Sequence, residues 1–179
     1  MASSNDVDVI VLGSGAGGLT AALAAAQSGA RVALYEKADL LGGSTAISGG
    51  VPWMPLNHHQ DELGIEDSRE EALTYLKSLS LDRMDPAMAE AFIDGSRDTV
   101  QWLEDSTDLE FSIIPMYPDY HPDVAGGVDI GRSILAEPYD IRHLGRDMAR
   151  LKPPLRTITF IGMMFNSSNA DLMHFFRAT

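Results

Sequence analysis

The stretch that decides the fold is the glycine-rich run at residues 13–18, which reads GSGAGG. The β-branched apolar run directly before it, at residues 7–12, predicts a strand buried on both faces. The alanine-rich segment 19–28 after it predicts a helix, which Gly29 ends. Residues 31–35 predict a second strand. This order predicts a βαβ unit, and with it an α/β fold with a parallel sheet.

Three glycines of this run match the pattern G-x-G-x-x-G of dinucleotide-binding loops. Gly13 permits a tight turn, Gly15 lets the backbone approach a pyrophosphate, and Gly18 lets the helix pack close to the sheet. The first turn of the helix also offers free N–H groups and partial positive charge to phosphates. Glu36, at the end of the second strand, is placed to bind adenosine ribose hydroxyls and would repel the 2′-phosphate of NADP. We therefore expect a Rossmann-like dinucleotide site rather than a plain glycine turn.

Composition limits the classes of function. The chain has 179 residues, the length of one domain, and a net charge of −13 from 26 acidic and 13 basic residues. This balance argues against a nucleic-acid surface and against an anionic membrane. The absence of cysteine excludes disulfides, thiolate metal sites and cysteine nucleophiles. With no apolar stretch long enough for a membrane span and no signal-peptide pattern, we expect a soluble, cytoplasmic protein.

Two helices and one strand are predicted in the middle of the chain. Ser68 and Glu71 form a capping box, and Asp85-Pro86 begins a second helix. The predicted apolar faces of these helices comprise Ala72, Leu73, Leu76 and Leu79 in the first, and Met88, Phe92, Thr99, Val100 and Leu103 in the second. Residues 111–114 predict a strand and residues 170–176 a helix, whereas 37–66 and most of the chain after 115 show little periodicity.

A second glycine-rich stretch, GGSTAISGG at 42–50, follows Glu36-Lys37 and resembles the FAD-binding half of the fumarate reductase and 3-ketosteroid dehydrogenase flavoprotein family. In that family this loop runs along the pyrophosphate and the flavin, which implies FAD as the cofactor. Small residues let backbone N–H groups approach a cofactor, and an NAD-only domain has no need of this loop. The cofactor-binding residues implied are Gly13, Gly15, Ala16, Gly17, Gly18, Glu36, Lys37, Gly43, Ser44, Thr45, Ser48, Gly49 and Gly50.

The stretches SGGVPWMPLN at 48–57 and YPDYHPDVAGGVDIGRSI at 117–134 resemble the ketosteroid dehydrogenase branch. The resemblance implies removal of two hydrogens from adjacent carbons beside a ketone, with a tyrosine-assisted base and a flavin that accepts hydride. Tyr120 and His121 are the catalytic candidates. His121 stands where the branch has a second tyrosine, which fits a proton relay, a different substrate or a solvated loop. Tyr120 also fits a buried aromatic whose hydroxyl is satisfied.

Members of the family run to several hundred residues. The resemblance therefore implies that residues 1–179 are the N-terminal portion of an FAD-binding domain, with a catalytic domain beyond residue 179 or on another chain. It also implies a hydrophobic ketone substrate, such as a steroid, and a complementary polypeptide as partner. Two alternatives stay open, a fumarate reductase-type alkene reductase and a non-catalytic flavin- or nucleotide-binding fragment.

Two further groups of side chains could bind a metal ion or a substrate. His58 and His59 with Asp61 and Glu62 offer metal-ligand atoms, but they fall in the irregular polar stretch, and we expect no metal site there. Arg132 could orient a substrate carbonyl or hold its loop in place, and the structural role is favoured.

Overall fold

The structure is a computed structural model that describes residues 6–155 and the short strands 159–160 and 163–164. The described chain divides into two compact units. The first contains residues 6–50 and 140–155 with the two short strands, and the second contains residues 51–139.

The first unit contains the predicted βαβ arrangement. Its elements are β1 (Val9–Leu12), α1 (Ala16–Gln27) and β2 (Val32–Tyr35). The two strands pair in parallel, with Val9 opposite Val32 and Leu12 opposite Tyr35. Gly29 follows α1 with φ at 87°, where glycine avoids the strain of a Cβ, and its N–H bonds the Ala26 carbonyl at 3.0 Å. The α/β class and the parallel sheet are therefore confirmed.

Helix α1 and strand β1 differ from the sequence expectation in detail. The helix begins at Ala16 rather than at Leu19, because Gly17 and Gly18 form its first turn. The prediction that β1 is buried on both faces is wrong, since Leu12 is 81% exposed. Within the described residues the sheet has two strands, and α1 covers the face that carries Val11. On the opposite face Ile10 is 59% exposed.

The remaining elements of the first unit are short. A 3-10 turn covers Thr45–Ile47, and a 3-10 segment interrupted at Gly145 covers Ile141–Arg150. Leu41 and Leu151 form a parallel bridge, in which the Leu41 N–H donates to the Arg150 carbonyl at 2.7 Å. Strands β5 (Thr159–Phe160) and β6 (Met163–Met164) form an antiparallel pair. The bridge between Leu41 and Leu151 thus pairs the end of segment 140–152 with the residue just before the second glycine stretch.

The second unit is a helical layer with one small antiparallel sheet. Its elements are α2 (His58–Glu62), α3 (Arg69–Leu79), α4 (Pro86–Ser106), β3 (Phe111–Ile113) and β4 (Ile134–Ala136). Strands β3 and β4 pair with Phe111 opposite Ala136. The core cluster comprises Val100, Ile113 and Ile134, with Met54, Ile65, Phe111 and Ile130 packed against it.

The predicted helix starts are confirmed. Ser68 caps α3, because its Oγ accepts a hydrogen bond from the Glu71 N–H at 3.2 Å. The reciprocal half of the predicted box differs, because the Glu71 carboxylate accepts the Ser68 hydroxyl at 3.0 Å while the Ser68 N–H donates to Asp67 Oδ1 at 2.8 Å. Helix α4 begins at Pro86, and the Asp85 carboxylate accepts the Ala87 N–H at 2.9 Å. Local capping chemistry therefore sets both starts.

The predicted buried faces need correction. In α4 the buried residues are Ala89, Ile93, Ser96 and Val100, whereas Met88, Phe92 and Thr99 are exposed. In α3 Tyr75 is buried and Leu79 is exposed. In α4 the small residues Ala89 and Ser96 face the core, where they permit close packing, and a pattern of bulky apolar residues does not reveal them. In α3 the buried position is taken by an amphipathic aromatic residue, Tyr75.

Several elements fall in stretches that the sequence indicated were irregular, among them the 3-10 turn Thr45–Ile47, α2 and β4. Their lengths of three to five residues are too short for a periodic pattern to develop. The 3-10 segment Ile141–Arg150 also falls there, and Gly145 interrupts it. The predicted helix at 170–176 lies outside the described residues. Among the helices that are described, none has both the length and the apolar character that a membrane crossing needs.

Candidate cofactor-binding site

The two glycine-rich stretches lie against each other in the first unit. A Cβ added at Gly43 would lie 3.4 Å from Gly15 Cα, so the backbones are in close contact. The Ala16 N–H at the start of α1 donates to Thr45 Oγ1 at 3.0 Å. Residues distant in sequence therefore form one continuous backbone surface at the start of α1.

Gly13 and Gly18 hold the first stretch in shape. Gly13 has φ at 101°, in the region that favours glycine, and its N–H donates to the Tyr35 carbonyl at 2.7 Å. A Cβ added at Gly18 would overlap the Gly13 carbonyl, whose carbon lies 2.9 Å from that position. At Gly17, by contrast, an added Cβ meets nothing within 4 Å. The turn and the close helix packing predicted for Gly13 and Gly18 are both present.

Ser14 links the two stretches to the end of β2, and sequence reasoning missed it. Its side chain is 0% exposed, and its hydroxyl donates to Glu36 Oε2 at 2.6 Å while accepting the Gly42 N–H at 2.9 Å. The Ser14 N–H donates to the same Glu36 oxygen at 2.9 Å. In the pattern G-x-G this position accepts any small residue, so the pattern carries no signal for it.

The Glu36 carboxylate is held in its ionised form. Its Oε1 accepts the Ala38 N–H at 3.0 Å, while Ser14 binds Oε2. The Ser14 hydroxyl contributes most to lowering the pKa of Glu36 to about 2, and the backbone N–H groups of Ala38 and Ser14 add to it. The backbone N–H of Lys37 also donates to this carboxylate, so the loops around Glu36 hold it firmly in place.

These residues fit the diphosphate and ribose of a dinucleotide. The N–H groups of Gly17 and Gly18 are in the first turn of α1, where the helix supplies no acceptor for them. The sequence predicted free N–H groups throughout the first turn, but the Ala16 N–H is not free, because it donates a hydrogen bond to Thr45 Oγ1. Small residues around these donors leave the backbone open to a phosphate, and Glu36 stands at the ribose side of the pattern.

The rest of the predicted cofactor residues are on the same unit. Ser48 Oγ donates to the Thr45 carbonyl at 2.9 Å and accepts the Gly50 N–H at 3.2 Å, so it stabilises the loop. The Lys152 ammonium lies 3.5 Å from the Gly43 carbonyl. Lys37, Ser44 and Gly49 are among the exposed residues of the set. The structure therefore brings the whole predicted set into one unit.

The catalytic candidates Tyr120 and His121 belong to the second unit. Tyr120 is 88% exposed, so its alternative interpretation as a buried aromatic is wrong. Burial raises the pKa of Tyr117, and the neighbouring Tyr120 raises it further through its charge and a hydrogen bond. His121 is also exposed, and its backbone N–H lies 3.3 Å from the Tyr75 hydroxyl. Both candidate side chains are thus accessible to a ligand.

Arg132 has the structural role that the sequence favoured. It is 1% exposed, and its guanidinium donates to Asp119 Oδ2 at 3.1 Å, to the Gly126 carbonyl at 2.7 Å and to Asp67 Oδ1 at 2.6 Å. Asp119 Oδ1 in turn accepts the Trp53 Nε1–H at 2.7 Å. A guanidinium enclosed in this way cannot reach a substrate carbonyl, and it instead holds the 117–132 loop.

Burial acts to raise the pKa of Asp67, but the hydrogen bonds and charge of Arg132 outweigh it and keep the pKa below its ordinary value. Asp67 therefore stays ionised beside Arg132 at neutral pH. The network contains one cation between two carboxylates, and it joins the start of α3 to the 117–132 loop.

Known proteins are similar to this chain in sequence and in fold. The chain is 43% identical to the 4-oxocyclohexanecarboxylate 2-dehydrogenase of Sinomonas cyclohexanicum over 79% of its own length and 25% of that protein's. It is 40% identical to the 3-oxosteroid 1-dehydrogenase of Mycobacterium tuberculosis strain H37Rv over 83% of its own length and 26% of that protein's. The chain thus spans about a quarter of the length of these curated relatives.

A solved structure with the same fold is the 3-ketosteroid delta1-dehydrogenase of Sterolibacterium denitrificans in complex with 1,4-androstadiene-3,17-dione. It aligns with a TM-score of 0.86 and 32% identity, covering 95% of this chain and 30% of its own. An open conformation of a flavocytochrome c3 fumarate reductase aligns less closely, with a TM-score of 0.54 and 25% identity over 84% of this chain and 27% of its own.

The family model described as FAD binding domain matches residues 8–172, a range that contains the glycine stretches, Ser14 and Glu36. FAD, the cofactor named in the description of this family, suits the backbone N–H donors, the carboxylate and the close backbone approach found at the start of α1. This chain belongs to the FAD binding domain family of flavoproteins.

Proposed function

We propose that this chain supplies the FAD-binding part of a dehydrogenase that removes hydrogens from adjacent carbons beside the ketone of a cyclic substrate. The observation that carries the proposal is the TM-score of 0.86 to a ketosteroid dehydrogenase over 95% of the chain. The 43% and 40% identities to two dehydrogenases of cyclic ketones support the same reaction class.

The chain's own contribution is to bind and orient the cofactor. We assign the diphosphate to the N–H groups of Gly17 and Gly18, and the adenosine ribose to the Glu36 carboxylate. Gly15 and Gly43 leave the backbone surface open, and Ser14 fixes Glu36 relative to both loops. When bound, FAD supplies the acceptor for the hydride that leaves the substrate.

Tyr120 and His121 remain our candidates for handling the substrate proton. Tyr120 is 88% exposed, so its hydroxyl is accessible to a ligand. The imidazole of His121 is exposed on the same loop, and an imidazole is a group that can accept or donate a proton. Both roles rest on the family resemblance of the 117–134 stretch and on this accessibility.

The substrate we propose is a hydrophobic cyclic ketone, either a 3-ketosteroid or a smaller oxocyclohexane. The relatives include enzymes named for each of these. The second candidate function is a fumarate reductase-type reductase, which runs hydride transfer in the opposite direction. The TM-score of 0.54 to a fumarate reductase, against 0.86 to the ketosteroid dehydrogenase, favours the dehydrogenase.

We also propose that this chain contacts a complementary polypeptide, which carries the rest of the flavoprotein. Relatives are about four times the length of the matched segment, and the exposed face of β1 carries Ile10 and Leu12. Burial of such apolar side chains is favourable, so this face suits contact with the rest of the flavoprotein. We propose the cytoplasm as the location on the basis of the sequence pattern.

The test is an anaerobic assay of the complete flavoprotein that contains this chain. The dehydrogenase proposal predicts that a 3-ketosteroid or 4-oxocyclohexanecarboxylate bleaches the oxidised flavin, while fumarate does not reoxidise the reduced flavin. Tyr120→Phe should slow the bleaching at least tenfold if the hydroxyl assists proton removal. Tyr139→Phe, outside the 117–134 stretch, is the matched control. Bleaching by neither ketone together with reoxidation by fumarate would replace the proposal by the reductase.

A further inference from the structure

The second unit contains a cluster of histidine and glutamate side chains that the flavin chemistry does not use. His58 and His59 are adjacent in α2, with ring centroids 4.0 Å apart. Each ring places its Nε2 3.0 Å from a different oxygen of Glu104, on α4. The side chains are only 18% and 16% exposed, so the two rings and the carboxylate form a defined arrangement rather than a solvated surface.

The contacts with Glu104 indicate which ring nitrogens are available. Nε2 of His59 is hydrogen-bonded to Glu104 Oε1, and Nε2 of His58 lies at ion-pair distance from Oε2. Because a carboxylate oxygen only accepts, a proton on each Nε2 suits these contacts. In the neutral imidazole Nδ1 then holds the lone pair. Nδ1 of His58 is buried and has no hydrogen-bond partner in the described part of the chain. A buried acceptor without a partner needs a physical explanation, and a bound cation is one.

Glu62 supplies a third ligand at the open side of the cluster. Its Oε2 lies 3.6 Å from Nδ1 of His59, and its side chain is 68% exposed. Two ligand atoms on one tetrahedral zinc ion are roughly 3.4 Å apart, because each metal–ligand bond is about 2.0–2.2 Å long. One ligand atom from each of His58, His59 and Glu62 lies within 4.8 Å of the others. Small side-chain rotations bring such a set to ligand distances.

The contact between the two histidines and a carboxylate is typical of metal sites. A metal-bound histidine usually donates its other ring N–H to a carboxylate, which fixes the orientation of the ring and makes it a better ligand. Glu104 takes that position for both rings, and the Phe111 N–H donates to its Oε1 at 2.9 Å. Glu104 is thus held in place from β3, as a positioning residue should be.

We propose that His58, His59 and Glu62 bind a divalent transition-metal ion of the Zn²⁺ type, with Glu104 as the positioning residue. Two imidazole nitrogens and one carboxylate oxygen suit zinc, and the exposed side of Glu62 leaves a fourth position for water. From the sequence we expected no metal site, because these residues fall in a polar stretch predicted to be irregular. In the structure they lie in helix α2, so that reason no longer applies. The ion would tie α2 to the Glu104 region of α4.

The test is calorimetric titration of the chelator-treated chain with Zn²⁺, repeated with Co²⁺ to read ligand type and geometry from its visible spectrum. We expect one ion per chain, tetrahedral nitrogen–oxygen bands for Co²⁺, and a rise in melting temperature with Zn²⁺. Mg²⁺, which prefers oxygen ligands, should not compete.

Variants separate this site from adventitious binding. Glu62→Gln and His59→Gln should each weaken Zn²⁺ binding at least tenfold, and Glu104→Gln should weaken it about 10–100-fold through lost positioning. Glu66→Gln and His143→Gln are exposed controls that should leave the affinity unchanged. Because Glu62 is at the surface, its variant tests the site without disturbing the core. No Zn²⁺ binding, or binding that Glu62→Gln and His59→Gln leave unaltered, would overturn the proposal.

Discussion

Arg132 donates a hydrogen bond to Asp119 at 3.1 Å, and both side chains are buried. These residues come from two parts of one sequence stretch, the Tyr-x-Asp-Tyr motif and the later Gly-Arg, that suggested catalytic chemistry. Their contact shows that the polar residues of this stretch have different jobs. Asp119 and Arg132 hold the loop, and this leaves the exposed Tyr120 and His121 as its chemical candidates.

Replacing the buried cation should destabilise the second unit strongly. Arg132→Met leaves Asp67 and Asp119 buried without their partner, and breaking such a pair costs about 3–5 kcal/mol. The control is Arg97→Met, which removes the exposed Arg97–Asp61 pair and should cost less than about 1 kcal/mol. Urea unfolding at pH 7 measures both. Equal effects of the two variants would show that the network does not stabilise the loop.

Substitution of Gly18 should be far more damaging than substitution of Gly17. The Cβ of Gly18→Ala overlaps the Gly13 carbonyl, and relief of such overpacking costs about 1–3 kcal/mol or more. Gly17→Ala has open space and a helical position, so it should be neutral or stabilise by up to about 1 kcal/mol. Thermal unfolding of the two variants gives the comparison. A Gly18→Ala chain as stable as Gly17→Ala would refute the close helix–turn contact.

Removing the Ser14 hydroxyl should change the titration of Glu36. The folded pKa of Glu36 is about 2, below its ordinary value of 4.5, so its contribution to stability is present above pH 4.5 and is lost as the pH falls through about 2. In Ser14→Ala we expect this pKa to rise toward 4.5, because the largest cause of the lowering is gone. A carbon-13 NMR titration of the Glu36 carboxyl measures it directly. An unchanged pKa would mean that the backbone donors alone hold the carboxylate.

The Thr45 side chain should hold the second glycine stretch against the start of α1. Thr45→Val keeps the shape but removes the acceptor of the Ala16 N–H, a loss comparable to that of a helix cap, about 0.5–2 kcal/mol. Amide exchange at Ala16 should accelerate correspondingly. Thr99→Val, on the exposed face of α4, is the control and should leave that amide unaffected. Unaltered exchange in Thr45→Val would exclude the contact.

The sequence predicted the parts of the structure that local chemistry decides. The βαβ order, Gly29 after α1, and the caps at Ser68 and Asp85 each depend on a few adjacent residues, and each is confirmed. The buried face of α4 depends on what packs against it, and there the prediction was wrong, since Ala89 and Ser96 are buried while Met88 is exposed.

The cofactor site shows the same division. The glycines and Glu36 were recognisable from their spacing, whereas Ser14 becomes important only when Gly42 comes beside it in the fold. The ligand atoms of His58, His59 and Glu62 were visible in the sequence, but Glu104 is distant along the chain and only the fold brings it to the two histidines.

The central claim is that the glycine stretches with Ser14 and Glu36 bind the adenosine diphosphate half of FAD. The most direct measurement is a nitrogen-15 NMR titration of the chain with FAD and, separately, with ADP. Our account predicts that both ligands shift the same amides, chiefly those of residues 13–18, 36 and 42–45, and that ADP competes with FAD. A folded chain whose shifts under both ligands are absent, or are confined to residues outside these ranges, would contradict it.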